Sequence, residues 1–221
     1  MFFRRFFQIY VSPTTIFDDI REARVGWWQP WVWVSILFII GGILTIPAQH
    51  AVMLLNPKMT PEMAEKMGSV AYFQLIFAPA MVLIIGFLAA GISYPVVTMQ
   101  SKEATFKKYF TLILFSNLIY ALGYVIACVI IRMKGVDNIS SPEDLKVSFS
   151  LRMLAPEASA VVKGLLGSIE FFSLWGLAIV FLGLKRIFNL RTGQALACVI
   201  PLWILYVALS IMGEVFGSFG G

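Results

Sequence analysis

The sequence predicts an all-α fold: a polytopic membrane protein, a bundle of five transmembrane helices with a short N-terminal amphipathic helix before them. Two observations predict it. Of 221 residues, 59% are hydrophobic, 14% aromatic and only 13% charged. A soluble domain carries about 25% charged residues, so the solvent of this chain must be mostly lipid. The second observation is where the charges fall. None lies between Arg24 and Lys58, between Lys66 and Lys102, or between Lys108 and Arg132. Only Glu170 interrupts the gap from Lys163 to Lys185, and only Glu214 follows Arg191. Each gap exceeds the ~20 residues that carry a helix across ~30 Å of hydrocarbon. Lipid offers no partner for free backbone groups, which makes helix the default, and the alternation of a barrel strand is absent.

Residues 1–30 form a cytoplasmic segment ahead of the spans. Ser12 as cap and Pro13 at the first helical position start a helix in which Ile16, Phe17, Ile20 and Ala23 share a face. This amphipathic helix either lies on the membrane face or packs on the inner end of the bundle. The apolar stretch of Met1 to Ser12 is too short for a signal peptide, so the segment is read as retained. The spans follow at Trp31 to Leu55, Ala71 to Thr98, Tyr109 to Ile131, Ser168 to Phe188 and Ala195 to Val215, and 1–221 reads as one membrane domain. Between the first two, Thr60-Pro61-Glu62 starts a short helix whose stripe of Met59, Met63 and Met67 is expected to pack against neighbours. The 132–167 loop carries a helix start at Ser141-Pro142-Glu143-Asp144 and a strand-like alternation through Val147, Phe149, Leu151 and Met153. Pro156-Glu157 then opens a short apolar helix into the fourth span.

Orientation follows from Lys and Arg in the loops. Arg4, Arg5, Arg21 and Arg24, then Lys102, Lys107 and Lys108, then Lys185, Arg186 and Arg191 fall on one side. Lys58 and Lys66, then Arg132, Lys134, Lys146, Arg152 and Lys163, fall on the other, spread over longer loops. The expectation is a cell (inner) membrane protein with a cytoplasmic N-terminus and an external C-terminus. Spans four and five form an antiparallel hairpin about Asn189 to Gly193, which places Glu170 and Glu214 near the external surface.

Chemistry is sparse. A net charge of +5 comes without a basic cluster, which argues against nucleic acid. Cys128 and Cys198 lie in apolar runs and read as packing residues, and a single histidine cannot supply a His-Glu-x-x-His zinc helix. No glycine-rich phosphate loop or Gly-x-Ser-x-Gly elbow is present, so no catalytic residue, cofactor or metal is assigned. The ionisable residues inside the spans, His50, Glu170 and Glu214, are the candidate polar site near the outer interface. They serve either as interfacial groups or as a shared site, with Lys163 as a possible member. Small residues four apart, Gly86 with Ala90 and Gly213 with Gly217, allow close helix approach, within the bundle or in a dimer.

Glu170-Phe171-Phe172-Ser173-Leu174-Trp175, then Gly183-Leu184 and Thr192-Gly193-Gln194-Ala195, resemble the Yip (Ypt-interacting protein) domain family, as do Pro13, Phe17, Ile20, Trp28 and Pro30 at the start. The resemblance covers nearly the whole chain and implies five spans without catalysis, with Glu170, Phe172, Trp175 and Gly183 as packing and interface positions. Eukaryotic members act in vesicle traffic, bind prenylated Rab-type GTPases and related Yip proteins, and carry a long cytosolic N-terminal region. Only about 26 residues precede Trp27 here, which is similar to the prokaryotic branch, and no GTPase-binding residue is carried over. The expected partners are the lipid bilayer and another membrane protein or complex, an exporter or the protein itself. The expected function is to organise or assist that complex; the alternative is a small transporter or channel using His50, Glu170 and Glu214.

Overall fold

The computed structural model describes residues 2–55 and 59–219. They form nine α-helices: α1 (Phe2–Val11), α2 (Pro13–Arg21), α3 (Trp28–Leu54), α4 (Pro61–Leu75), α5 (Ala78–Gln100), α6 (Phe106–Lys134), α7 (Ala160–Gly167), α8 (Phe171–Ile187) and α9 (Thr192–Phe219). Three 3-10 turns, at Val136–Asn138, Pro142–Leu145 and Leu151–Leu154, connect α6 to α7. Four helices are long and apolar enough to cross a membrane: α3, α5, α6 and Thr192–Phe216 of α9.

The bundle is assembled around α6. Its inward positions from Tyr109 to Leu118 are almost all buried. α3 runs parallel to it, with Trp27 beside Phe110 and Phe38 beside Tyr124. α5 and α8 run antiparallel to it. A Cβ on Gly86 of α5 would lie 2.9 Å from Leu114, and one on Gly183 of α8 would lie 2.4 Å from Leu112. Glycine at these sites lets the helix backbones approach without a side chain between them. α8 and α9 then form an antiparallel hairpin about 188–191, where Asn189 takes a left-handed conformation (φ 53°) that asparagine tolerates better than most residues.

Several sequence expectations change. The fourth span, read as 168–188, is the 17-residue α8, about 26 Å long and slightly short of the hydrocarbon thickness. It begins only at Phe171, because Ser150 and Glu170 pair as an antiparallel β-bridge that holds the loop between α6 and α7 against its start. The second span, read as 71–98, is broken at Ile76–Phe77 into α4 and α5. Pro79 lacks an N–H and favours the first turn of a helix, so a new helix starts there. The Trp31 indole donates to the Pro79 carbonyl (2.8 Å) and ties the break to α3.

At the amino end, α1 precedes the expected helix. Ser12 does not cap α2 with its side chain, since its Oγ lies 3.3 Å from Thr15 Oγ1 instead. Met63 and Met67 point outward rather than packing on neighbours. The alternation from Val147 to Met153 forms no strand beyond that single bridge. The helix expected from Pro156-Glu157 begins later, at Ala160, because Ser159 accepts the Val162 N–H as its cap. Of the segment from Asn56 to Gly68, residues 56–58 lie outside the described residues.

One substitution pair tests the packing. A Cβ on Gly164 would lie 2.5 Å from the Ile211 Cα, which is backbone and cannot swing away, whereas one on Gly193 meets nothing within 4 Å. Gly164→Val is expected to cost about 1–3 kcal/mol, read as a lower thermal midpoint in detergent. Gly193→Ala should leave the midpoint unchanged or higher.

Candidate functional site

The ionisable residues are held at two ends of the bundle, and each end is organised differently. At the end bearing the 188–191 turn, α1 and α2 form a helical hairpin. Ile9, Ile16, Phe17 and Ile20 are fully buried, so this segment is wedged into the bundle rather than resting on it. Tyr10 donates its hydroxyl to the Leu118 carbonyl (3.0 Å), roughly 18 Å along α6 from Phe106. The tip of the hairpin therefore reaches towards mid-depth. Its outer stripe of Phe3, Phe7 and Val11 is exposed to the surrounding medium.

The open end of that hairpin is clasped by charges. Arg5 Nε donates to Asp19 Oδ2 (2.9 Å) and Arg24 approaches Asp19 Oδ1 (3.3 Å), while Arg5 also reaches the Gln29 amide oxygen (3.2 Å). Across to α8, Arg186 meets Asp18 with two parallel bonds of 2.8 and 3.0 Å. A planar guanidinium fits a carboxylate in this two-point way, which fixes orientation as well as distance. The Arg186 guanidinium holds the Asp18 carboxyl below its usual range.

The opposite end carries the acidic members of the predicted polar site. Glu170 sits at the start of α8, where its carboxylate accepts from the Ser173 hydroxyl and from Tyr206 of α9 (3.3 Å). Tyr120 of α6 donates to the Ser173 carbonyl (3.3 Å), so three helices meet at this carboxylate. The bridge brings the loop in from above. The Phe171 N–H donates to Phe149, and the Leu151 N–H to Ile169.

Glu214 lies at the same end of the hairpin, about 12 Å farther along α9 than Tyr206. There it accepts from Arg152 of the loop, and Arg152 also stands 3.9 Å from Glu143. Lys146 bonds Glu143 (2.6 Å) and holds its carboxyl low. The N–H groups of Ser140 and Ser141 do the same for Asp144.

His50 is elsewhere. It faces α4, in contact range of Gly68, on the α3 side of the bundle. The structure thus brings Glu170 and Glu214 to one end, each with its own partners, and does not gather the three into one site. Among the described residues, no three His, Cys, Asp or Glu side chains converge to hold a metal ion.

The other motif positions meet neighbours directly. Phe172 lies over Gly123 and packs edge-to-face on Phe149 (5.2 Å). Trp175 lies between Tyr10 (6.1 Å) and Phe171 (5.8 Å), linking the N-terminal hairpin to α8. Sequence reading missed Arg152, Tyr206 and the clasp pair Asp18–Arg186. Each joins segments far apart in the chain, and no local spacing announces such a contact.

Fold, hydropathy and polar distribution define a polytopic α-helical membrane protein. The chain belongs to the Yip1 domain family, whose model matches residues 7–213. It is similar to "Membrane protein YknW" of Bacillus subtilis (strain 168), 26% identical over 220 residues that cover 97% of this chain and 92% of that protein. No solved structure matches it.

The clasp has a defined pH response. Because the folded-state pKa of Asp18 is depressed, its contribution is present above the unfolded value of about 3.9 and is lost as pH falls through the lower folded value. Hydrogen exchange of residues 13–21 should therefore be flat from pH 7 to 5, after correction for intrinsic rates, and accelerate below pH 4. Arg186→Gln should accelerate it already at neutral pH, by no more than the roughly fivefold that an exposed pair supports.

Proposed function

We propose that this protein is a non-catalytic membrane component that organises or assists another membrane complex, an exporter or an assembly of trafficking type, with its N-terminus cytoplasmic and its C-terminus external. The observation that carries this reading is the outward face of α9. Only 11% of its most apolar stretch is buried within the chain, against 50% for α6. Leu196, Ile200 and Ile204 form an exposed stripe in one half, and Leu209, Met212 and Phe216 form a second one, on a different side of the helix, in the other. Gly213 lies among the latter with open space before it. Lipid solvates any apolar face, but an outward glycine among large side chains gives a second helix a place for close backbone approach. The acidic groups add support, because Asp18, Asp19, Glu170 and Glu214 all bond within the chain. Their bonds tie helices and loops together.

Photo-crosslinkers placed at Ile200, Ile204 and Met212 in native membranes should capture a second membrane protein, and a crosslinker on the lipid-facing Ile85 of α5 should capture less. A chain that crosslinks from none of the three and elutes alone from mild detergent would overturn the reading. A flux through reconstituted vesicles that Glu170→Gln and Glu214→Gln abolish would favour the transporter alternative. For orientation, a cysteine at Glu103 should react only with reagents that reach the cytoplasm, and one at Ser140 only with reagents added outside.

A further inference from the structure

Beyond the contacts to proteins lies a groove that no polar residue enters. It has a volume of about 380 Å³, is lined by Trp27, Leu83, Ile84, Phe87, Leu88 and Phe110, and opens sideways between α3, α5 and α6. Its size falls within the ~300–1,000 Å³ of small-ligand sites. Its walls are aromatic on two sides: Trp27 and Phe87 each stand 6.2 Å from Phe110, which stacks on Phe106 (5.8 Å). A wholly apolar lining selects a hydrocarbon occupant.

The groove's position selects the head group of that occupant. Phe110 lies in the first turns of α6 and Trp27 directly precedes α3, so the groove begins at the membrane end that carries the 101–105 turn. Lys107 lies three residues before Phe110, on the same face of α6 and one turn nearer that end. Helical side chains lean towards the helix N-terminus, so an exposed Lys107 extends from the mouth of the groove towards the interface. Lys102 and Lys108 are close in sequence, and Glu103 is the acidic residue of that turn. None of the three lysines forms a salt bridge among the described residues, in contrast to Arg5, Arg24 and Arg186 at the same end. An apolar slot under unpaired ammonium groups matches one kind of molecule.

We propose that this groove is a binding site for an anionic phospholipid, with an acyl chain between Leu83, Phe87 and Phe110 and the phosphate at Lys107. The helices provide the walls and the lysines provide the charge selection. This assignment is independent of which protein partner α9 meets.

The test uses the full chain purified in mild detergent. It is incubated with equal amounts of phosphatidylglycerol and phosphatidylethanolamine of matched chains, and bound lipid is read by native mass spectrometry. Phosphatidylglycerol should be retained in preference. Lys107→Gln should lower that preference about fivefold with no change in thermal midpoint, since Lys107 is exposed and its ammonium group forms no salt bridge among the described residues. Leu83→Trp should fill the groove and remove both lipids. Glycerophosphoglycerol, the head group without chains, should not be retained. Equal retention of the two lipids, a preference that survives Lys107→Gln, or retention of the chain-free head group overturns the proposal.

Discussion

Close approach to α6 is the constraint on which the rest of the structure depends. In lipid, one apolar helix gains nothing from burying itself against another by exclusion of water, since the tails are as apolar as leucine. Cohesion must come from interdigitation and a few internal hydrogen bonds. Along α6 each neighbour supplies a glycine where α6 supplies bulk: Gly41 faces Tyr124, Gly86 faces Leu114, Gly176 faces Tyr120 and Gly183 faces Leu112. At Gly123 the arrangement is reversed, and α6 yields to Phe172. A methyl group at any of these sites would come within 3 Å of a side chain, so the bundle has little slack around its axis.

With the interior settled by packing, the charged groups act at its ends. The N-terminal hairpin is held by Arg5, Asp19, Asp18 and Arg186, which join α1, α2 and α8. The loop that leads from α6 to α7 is held by Arg152 on Glu214 and by the backbone bridge at Glu170. Both clamps fix segments too small to have a core of their own. The loop between α6 and α7 contains only 3-10 turns, and Ile139 is its member buried beneath Ala48 and Ile131. Each clamp also pairs a carboxylate with a donor, which meets the cost of removing that charge from water near a low-dielectric slab.

How much of this was legible in the sequence follows from the range of each interaction. Charge-free runs locate α3, α6 and α9, because hydrocarbon thickness is a local requirement on consecutive residues. The same arithmetic places Glu170 and Glu214 at one end of a hairpin. Pro13 marks the start of α2, but α1 escaped notice, although Phe3, Phe7 and Val11 recur at helical spacing; Met1 to Ser12 was weighed only as a signal peptide, and rejected as one. Pro79 lies inside the run read as the second span, and only the fold shows a full break there, with the Trp31 indole on its carbonyl. His50 lay at the right depth for a shared site and on the wrong helix face. Depth is a property of sequence distance, whereas the face met by each side chain is decided by neighbours.

The uneven burial of the spans carries the synthesis one step further. α6 is half buried and α3 nearly so at 39%, while α5 and α9 are buried over only 28% and 11% of their most apolar stretches. A bundle optimised for its own cohesion would bring its last helix inward. Here α9 instead touches α5, α7 and α8 and still leaves large apolar side chains exposed in both of its halves. The small residues that face inward, such as Gly183 and Gly86, are matched by bulky side chains, and the outward Gly213 has none. The difference is between a glycine whose space is filled and one whose space is open. In a membrane an open space of that kind is taken by lipid chains or by another helix. Next to Gly213 in the chain is Glu214, whose partner Arg152 holds the loop between α6 and α7 onto α9. A helix docking at Gly213 would meet Leu209, Met212 and Phe216 on the same face, and Gly213 among them is the point where its backbone could come closest.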